Sequence, residues 1–306
     1  MISPRCLAQR SSLLQAVRSF FIARRYLEVD TPARLPVLLP ESYILPFTSE
    51  GWFLQTSPEL CMKRLLARGC PQLFQICHCF RRQELGRYHQ PEFTMLEWYH
   101  TGWSYLELMA ECEDLVRELA GGAESLAGVC GPATLRRDGQ RISLAPPWER
   151  LTVEAAFLRF AGMPVREALD RDCFDELMVT AVEPHLGRDK PVFLYDYPAE
   201  RAALARRKKD NDAVAERFEL YIAGIELANG FSELVNPAEQ RQRFAAEISR
   251  RRKAGEPHAL MPERFLDDLG RLDETAGIAL GLDRLFMVLL GAETVADVVS
   301  FAGDDL

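Results

Sequence analysis

The sequence predicts an α+β fold, an antiparallel sheet flanked by helices. Strand-like segments are joined by hairpins and long helices rather than by regular βαβ units. The glycine fingerprints of doubly wound nucleotide folds, GxGxxG and GxxxxGK[ST], are both missing. In addition, three separate segments set charged side chains on otherwise apolar strands. That is rare unless the charge has a partner or a task.

The elements follow in chain order. Leu13, Leu14, Val17, Phe20 and Phe21 recur at helical spacing and predict a helix over 9–25. The first 27 residues hold five arginines and no acid, a composition shared with organelle transit peptides. This helix runs straight into the extended Leu27–Pro32 segment without a spacer, so it reads as structure and not as a leader. Thr56-Ser57-Pro58-Glu59 reads as a helix start with Ser57 as N-cap and Pro58 at the first helical position, running to about Arg68. Next come a strand over 73–80, a polar loop over 81–91, a strand over 92–99 and a helix over 103–120. Residues 121–141, rich in Gly and Ala without period, read as a surface connection. A helix begins near Thr152. Arg217–Glu233 reads as a strand pair turning at Ala223-Gly224, followed by a charged helix over 238–253. A glycine-bearing strand over 277–281 and a helix over 282–290 close the pattern.

Composition bounds the function. The 306 residues are 48% hydrophobic and 27% charged, and we read 1–306 as one large unit. No apolar run approaches the roughly 20 residues of a membrane span. A net charge of −8 disfavours non-specific binding to nucleic acid, which rests on Lys and Arg neutralising phosphates. Of the eight cysteines, Cys77 and Cys79 flank His78. No second Cys or His pair follows at a zinc spacing, so the cysteines read as structural thiols of a reducing cytoplasm.

Three segments carry the chemistry. In Phe80–Tyr99, strand alternation puts Phe93, Met95, Glu97 and Tyr99 on one face, a floor for a planar ring and a cation. Arg81, Arg87 and His89 beside it suit a phosphate-bearing ligand. In Arg217–Glu233, Glu219, Glu226 and Glu233 sit in an apolar hairpin. Mg²⁺ held against ATP phosphates would explain two of these acids, and a substrate ammonium the third. Asn229-Gly230 reads as a bulge that re-aims Glu233. In Gly277–Arg284, small residues admit a ligand to the backbone, and Arg284 emerges at a helix start where it can stack on a base or meet a phosphate. Any one such charge is ordinarily solvated or salt-bridged. Three together point to a site.

These segments resemble the motifs of class II lysyl-tRNA synthetase catalytic domains. More closely, they resemble the family of stand-alone bacterial relatives, the elongation factor P–(R)-β-lysine ligases. Val29-Asp30-Thr31-Pro32 is similar to the end of the first class II motif, Phe80–Tyr99 to the second and Gly277–Arg284 to the third. The resemblance spans the whole chain and implies a class II synthetase catalytic fold with a six- or seven-stranded antiparallel sheet, as a homodimer. It also implies activation of a lysine-like amino acid by ATP and its transfer to a lysine of elongation factor P. Arg81 would hold the α-phosphate and substrate carboxylate. Phe93 and Arg284 would sandwich the adenine, and His89 would touch the outer phosphates. Glu219 and Glu226 would bind Mg²⁺. Glu59 would meet a substrate amino group, and Glu97, Tyr99, Asn229 and Glu233 would line the lysine pocket. The first motif ends at Pro32, which leaves no room before it for an anticodon-binding domain and makes tRNA an unfavoured partner.

Two positions depart from the lysyl-tRNA synthetase pattern. Gln83 stands where the second motif carries Glu; either Gln83 accepts the adenine amino group or Glu84 takes over through a loop shift. Ala279 stands where those synthetases carry Gly, and one methyl in a tight pocket shifts preference by roughly 1–3 kcal/mol. Other readings are lysyl transfer to tRNA or another acceptor, and a non-catalytic regulatory relative, which would have lost Arg81, Glu219, Glu226 and Arg284. The basic runs Arg206–Lys209 and Arg250–Lys253 are either docking patches or solvated faces.

Overall fold

The computed structural model describes residues 1–41, 44–122, 133–256 and 259–305. Cys130 and positions 123–132 of the expected connection lie outside them. The chain opens with α1 (Pro4–Ala23), capped by Ser3, whose side chain accepts from the Cys6 amide. Four short strands follow: β1 (Leu27–Glu28), β2 (Arg34–Leu35), β3 (Thr48–Ser49) and β4 (Trp52–Leu54). Then come α2 (Glu59–Leu66), the long hairpin β5 (Gln72–Phe80) and β6 (Glu92–Thr101), and α3 (Tyr105–Gly121). Ser104 and Glu107 form a capping box at the start of α3.

The middle holds β7 (Thr134–Arg137), β8 (Gln140–Ser143) and β9 (Glu149–Thr152), then α4 (Val153–Ala156), α5 (Val165–Asp170), α6 (Phe174–Leu177) and β10 (Val192–Pro198). The chain closes with β11 (Val214–Ile222), β12 (Ile225–Ser232), α7 (Pro237–Lys253), α8 (Glu263–Leu269), β13 (Thr275–Gly281) and α9 (Leu282–Leu290).

The main sheet has eight strands in the order β1-β5-β6-β13-β12-β11-β10-β9. This exceeds the expected six or seven, because a parallel strand joins at each edge: β1 beside β5, and β9 beside β10. The six strands between are antiparallel, as expected. One sheet face packs on α1, α3 and α9 through Phe20, Phe21, Phe74, Trp98, Phe218 and Phe286, each 1% exposed or less. Phe21 and Phe74 stack there with ring centroids 4.8 Å apart. The opposite face carries the cavity described below.

Three local expectations need correction. The helix at Pro58 begins one residue later, with Pro58 itself at the N-cap and the last turn ending at Leu66. Ser57 still accepts from the Glu59 amide at 3.0 Å, but its hydroxyl is donated to Glu97. Part of the expected connection, Thr134–Ser143, is a hairpin whose Asp138 and Gly139 both have positive φ. The bulge in the β11–β12 pair falls at Leu227, between the Leu220–Ala228 and Tyr221–Glu226 pairs, and not at Asn229-Gly230. Gly230 is regularly paired, and its missing side chain makes room for Phe218, whose ring would lie 2.6 Å from a Cβ there. The two basic runs are largely neutralised within the chain. Arg206 pairs with Glu216 and Glu274, Lys208 with Asp196, and Arg250 and Arg251 with Glu247.

Candidate active site

Cross-strand neighbours build the floor of a cavity of about 310 Å³. One row runs Glu97 (β6), Ala279 (β13), Asn229 (β12) and Glu219 (β11). The next runs Tyr99, Gly277, Phe231 and Arg217. Period-2 alternation therefore delivers Phe93, Met95, Glu97 and Tyr99 to one face, and all four line the cavity. Gly277 is required by its neighbours: a Cβ would fall 2.2 Å from the Tyr99 ring and 2.5 Å from a Glu233 oxygen.

One end of the cavity is acidic. Glu97, 1% exposed, accepts from Ser57 at 2.5 Å and from the Tyr99 hydroxyl at 2.8 Å. Burial, and then the charge of Glu59, push its carboxyl up to about 8. Burial and Glu59 likewise push Glu41 up to about 7. Glu59 lines the cavity, while Glu233 is fully buried behind it, and Lys63 forms ion pairs with both. An acid-lined, desolvated pocket of this kind suits an ammonium group.

The other end is basic. Arg81 donates to the Thr56 carbonyl at 3.4 Å and lies 5.1 Å from the Phe93 ring centroid. Arg284 leaves the first turn of α9 and donates to the carbonyls of Tyr88 at 3.1 Å and Glu226 at 2.9 Å. Its second amino nitrogen lies 2.5 Å from His89 Nε2. Burial and the Arg284 charge lower the pKa of His89, which favours a neutral ring that accepts from Arg284. Adjacent Asp283 fastens this corner, accepting from the Thr94 amide at 2.7 Å and pairing with Arg10 at 2.7 Å. Two guanidinium groups and an aromatic ring suit a phosphate and a planar base.

The structure brings together Glu59, Arg81, His89, Phe93, Glu97, Tyr99, Glu226, Asn229, Ala279 and Arg284 around this cavity. Gln83 is not among the lining residues. It is exposed, in a left-handed turn at φ 66°, and the following residue, Glu84, faces the cavity instead, 3.8 Å from Arg81. Of the two residues offered for adenine, Glu84 is the one that lines the cavity.

Glu219 lines a neighbouring cavity of about 770 Å³ that shares Glu41, Glu226, Asn229 and Phe231 with the first. Its carboxylate accepts from Tyr197 at 2.5 Å, Tyr221 at 2.7 Å and Arg217 at 2.5 Å. Glu226 stands between the two cavities, 3.5 Å from Arg284. Its place in the cavity wall and the charge of Glu219 raise its pKa. Among the described residues no group of three or more His, Cys, Asp or Glu side chains is arranged to hold a metal ion.

Sequence reasoning missed Lys63, Glu41 and Arg217. Lys63 had a readable signal, since it follows Glu59 by four residues on one helix face. Glu41 lies in an irregular segment without period, and only the folded chain brings it to the site.

A family model described as tRNA synthetases class II (D, K and N) matches residues 3–305. Curated relatives named elongation factor P–(R)-β-lysine ligase, from Salmonella paratyphi B, Salmonella schwarzengrund and Salmonella heidelberg, are each 41% identical to this chain. Each match runs over 312 aligned positions and covers 97% of this chain and 95% of the relative.

Proposed function

The chain belongs to the class II tRNA synthetases of the D, K and N group, and from that premise we propose that it is an ATP-dependent ligase acting on (R)-β-lysine or lysine. It activates the amino acid as an aminoacyl-adenylate and transfers it to a lysine side chain of elongation factor P. The observation that carries this reading is one cavity with an acidic end at Glu41, Glu59 and Glu97 and a basic end at Arg81 and Arg284. A diamino acid presents ammonium groups to the first end and its carboxylate, beside ATP, to the second. The 41% identity to ligases of that name supports the acceptor.

In the first step a carboxylate oxygen attacks the α-phosphorus of ATP, and the bond to pyrophosphate breaks. Arg81 holds the substrate carboxylate and the α-phosphate together, so the two anions meet in reactive geometry. Negative charge grows on the phosphate oxygens, and a fixed guanidinium there is worth on the order of 10³ in rate. Phe93 and Arg284 hold the adenine, with Glu84 or Gln83 at its amino group, and neutral His89 donates to the outer phosphates. In the second step a neutral acceptor amine attacks the acyl carbon, AMP leaves and an amide forms. Tyr99, Asn229, Ala279 and Glu233 shape the side-chain pocket.

Glu219 and Glu226 would hold Mg²⁺, because both carboxylates line the same cavity and Glu226 also faces the one that holds Arg81 and Arg284. When bound, the ion would supply positive charge against the phosphates. Homodimerisation through the Val29–Pro32 region, action in the cytoplasm and disuse of tRNA belong to the same reading.

The test is the intact mass of unmodified elongation factor P after incubation with the protein, ATP, Mg²⁺ and (R)-β-lysine, with L-lysine in parallel. A gain of one lysyl residue, greater with the β isomer, is expected. No gain with either, while amino-acid-dependent pyrophosphate exchange persists, moves the acceptor to tRNA or another amine. Loss of exchange as well leaves a non-catalytic relative.

A further inference from the structure

Lys63 is a buried cation beside a pocket that we read as taking cations. Its side chain is 2% exposed, on the inner face of α2. It pairs with Glu59 one turn earlier and with Glu233 just beyond the end of β12. The ammonium also lies 5.3 Å from the Phe231 ring centroid. Burial alone disfavours its charge, but the carboxylates of Glu233 and Glu59 outweigh burial and raise its pKa. Glu233 is held from the other side as well, because its amide donates to the Thr275 carbonyl at 2.8 Å.

The two acids tied by Lys63 stand at different places around the pocket. Glu59 lines the cavity from α2. Glu233 is buried behind the cavity, beside Gly277. One ammonium fastened to both fixes their separation and prevents two buried carboxylates from repelling each other. Well-packed apolar side chains in place of all three charges would join α2 to the sheet as firmly, since a whole buried ionic cluster exchanged for apolar groups is commonly neutral or stabilising. The ionic tie is therefore better explained by what it does to the two acids.

We propose that Lys63 is a positioning residue of the amino-acid pocket, holding Glu59 and Glu233 at one separation and thereby setting which diamino acid fits and how tightly. The inference rests on the proposed function, because it takes the pocket to hold a diamino acid. It goes beyond that reading in giving a side chain that need not touch the substrate control over chain-length preference.

Amino-acid-dependent pyrophosphate exchange tests it, with lysine, (R)-β-lysine and the one-methylene-shorter ornithine as substrates. In Lys63→Met the KM for the longer diamino acids rises about tenfold or more, while kcat and the KM for ATP stay within about twofold. The preference for lysine over ornithine falls about tenfold, the scale of one methylene in a fitted pocket. Lys63→Arg keeps the charge but enlarges the head, so it serves if Lys63→Met does not fold. It moves the same KM and the same preference at a nearly unchanged melting temperature. Folded variants with unaltered amino-acid KM and unaltered preference overturn the inference and leave Lys63 a structural tie. A wild-type protein inactive on all three substrates overturns instead the proposed function, and the inference with it.

Discussion

Glu97 shows how much a single residue in this site is set by its surroundings. Its carboxyl is pushed up to about 8 by burial and the Glu59 charge, whereas in the unfolded chain it titrates near pH 4.3, as an ordinary glutamate. Between those values the folded protein binds more protons than the unfolded one, so stability falls as pH rises through that window. Glu97→Gln, neutral throughout, removes this contribution. Thermal or urea melts of wild type and variant between about pH 5 and pH 8 should show a shallower decline in the variant, with Glu41 supplying part of what remains. Equal slopes would mean that Glu97 is ionised in the folded protein. The residue was legible as a site acid, because alternation with Phe93, Met95 and Tyr99 is a one-strand pattern. Its pairing with Ser57 from a different element was not, and which of Gln83 and Glu84 faces the cavity could be left only as two alternatives, because it turns on one positive φ.

At the scale of elements, β13 is the strand on which the pocket depends most for space. Gly277 faces Tyr99 on one side and Phe231 on the other, and a Cβ there would collide with both the Tyr99 ring and Glu233. Ala279, two residues on, already carries a methyl and lines the same cavity. Gly277→Ala should therefore displace Tyr99, break its hydrogen bond to Glu97 and cost about 1–3 kcal/mol of stability. The amino-acid KM should rise more than tenfold by the roughly 1–3 kcal/mol scale of pocket misfit, read by pyrophosphate exchange beside a urea melt. Normal KM in a destabilised variant would detach Gly277 from the pocket.

Long elements were legible to within a few residues, such as α3 and the β11–β12 pair with its Ala223-Gly224 turn. The Thr134–Ser143 hairpin was not, because its strands are four residues long and stand beside a stretch rich in Gly and Ala. The bulge was misplaced because Asn-Gly is a local signal, whereas the close packing of Phe218 on Gly230 is a tertiary one.

The whole molecule is tied together by where β13 lies. This strand, late in the chain, lies between β6 and β12, so within the sheet it joins the early hairpin β5–β6 to the β10–β12 group. Site residues come from both sides: Phe93 and Glu97 from one, Asn229 and Glu226 from the other, Ala279 and Arg284 from β13 and the helix after it. A second apolar cluster is built from Val153, Phe157, Phe174 and Val182. It shares Tyr221 and Leu194 with strands of the main sheet.

Residues 1–306 should then unfold as one unit, with tryptophan fluorescence and far-ultraviolet circular dichroism tracing one transition. A sulfamoyl analogue of the lysyl adenylate binds only the folded site. At about a hundred times its Kd it should stabilise the protein by about 2.7 kcal/mol, and both signals should move together. If two transitions appear and the ligand shifts only one, the 153–197 region folds on its own, and the single-unit reading fails. A single transition that the ligand shifts as a whole would mean that the acidic and basic ends of the pocket are held by the same cooperative structure. The spacing between Glu59, Glu97 and Arg81 could then not be loosened without unfolding the sheet that carries it.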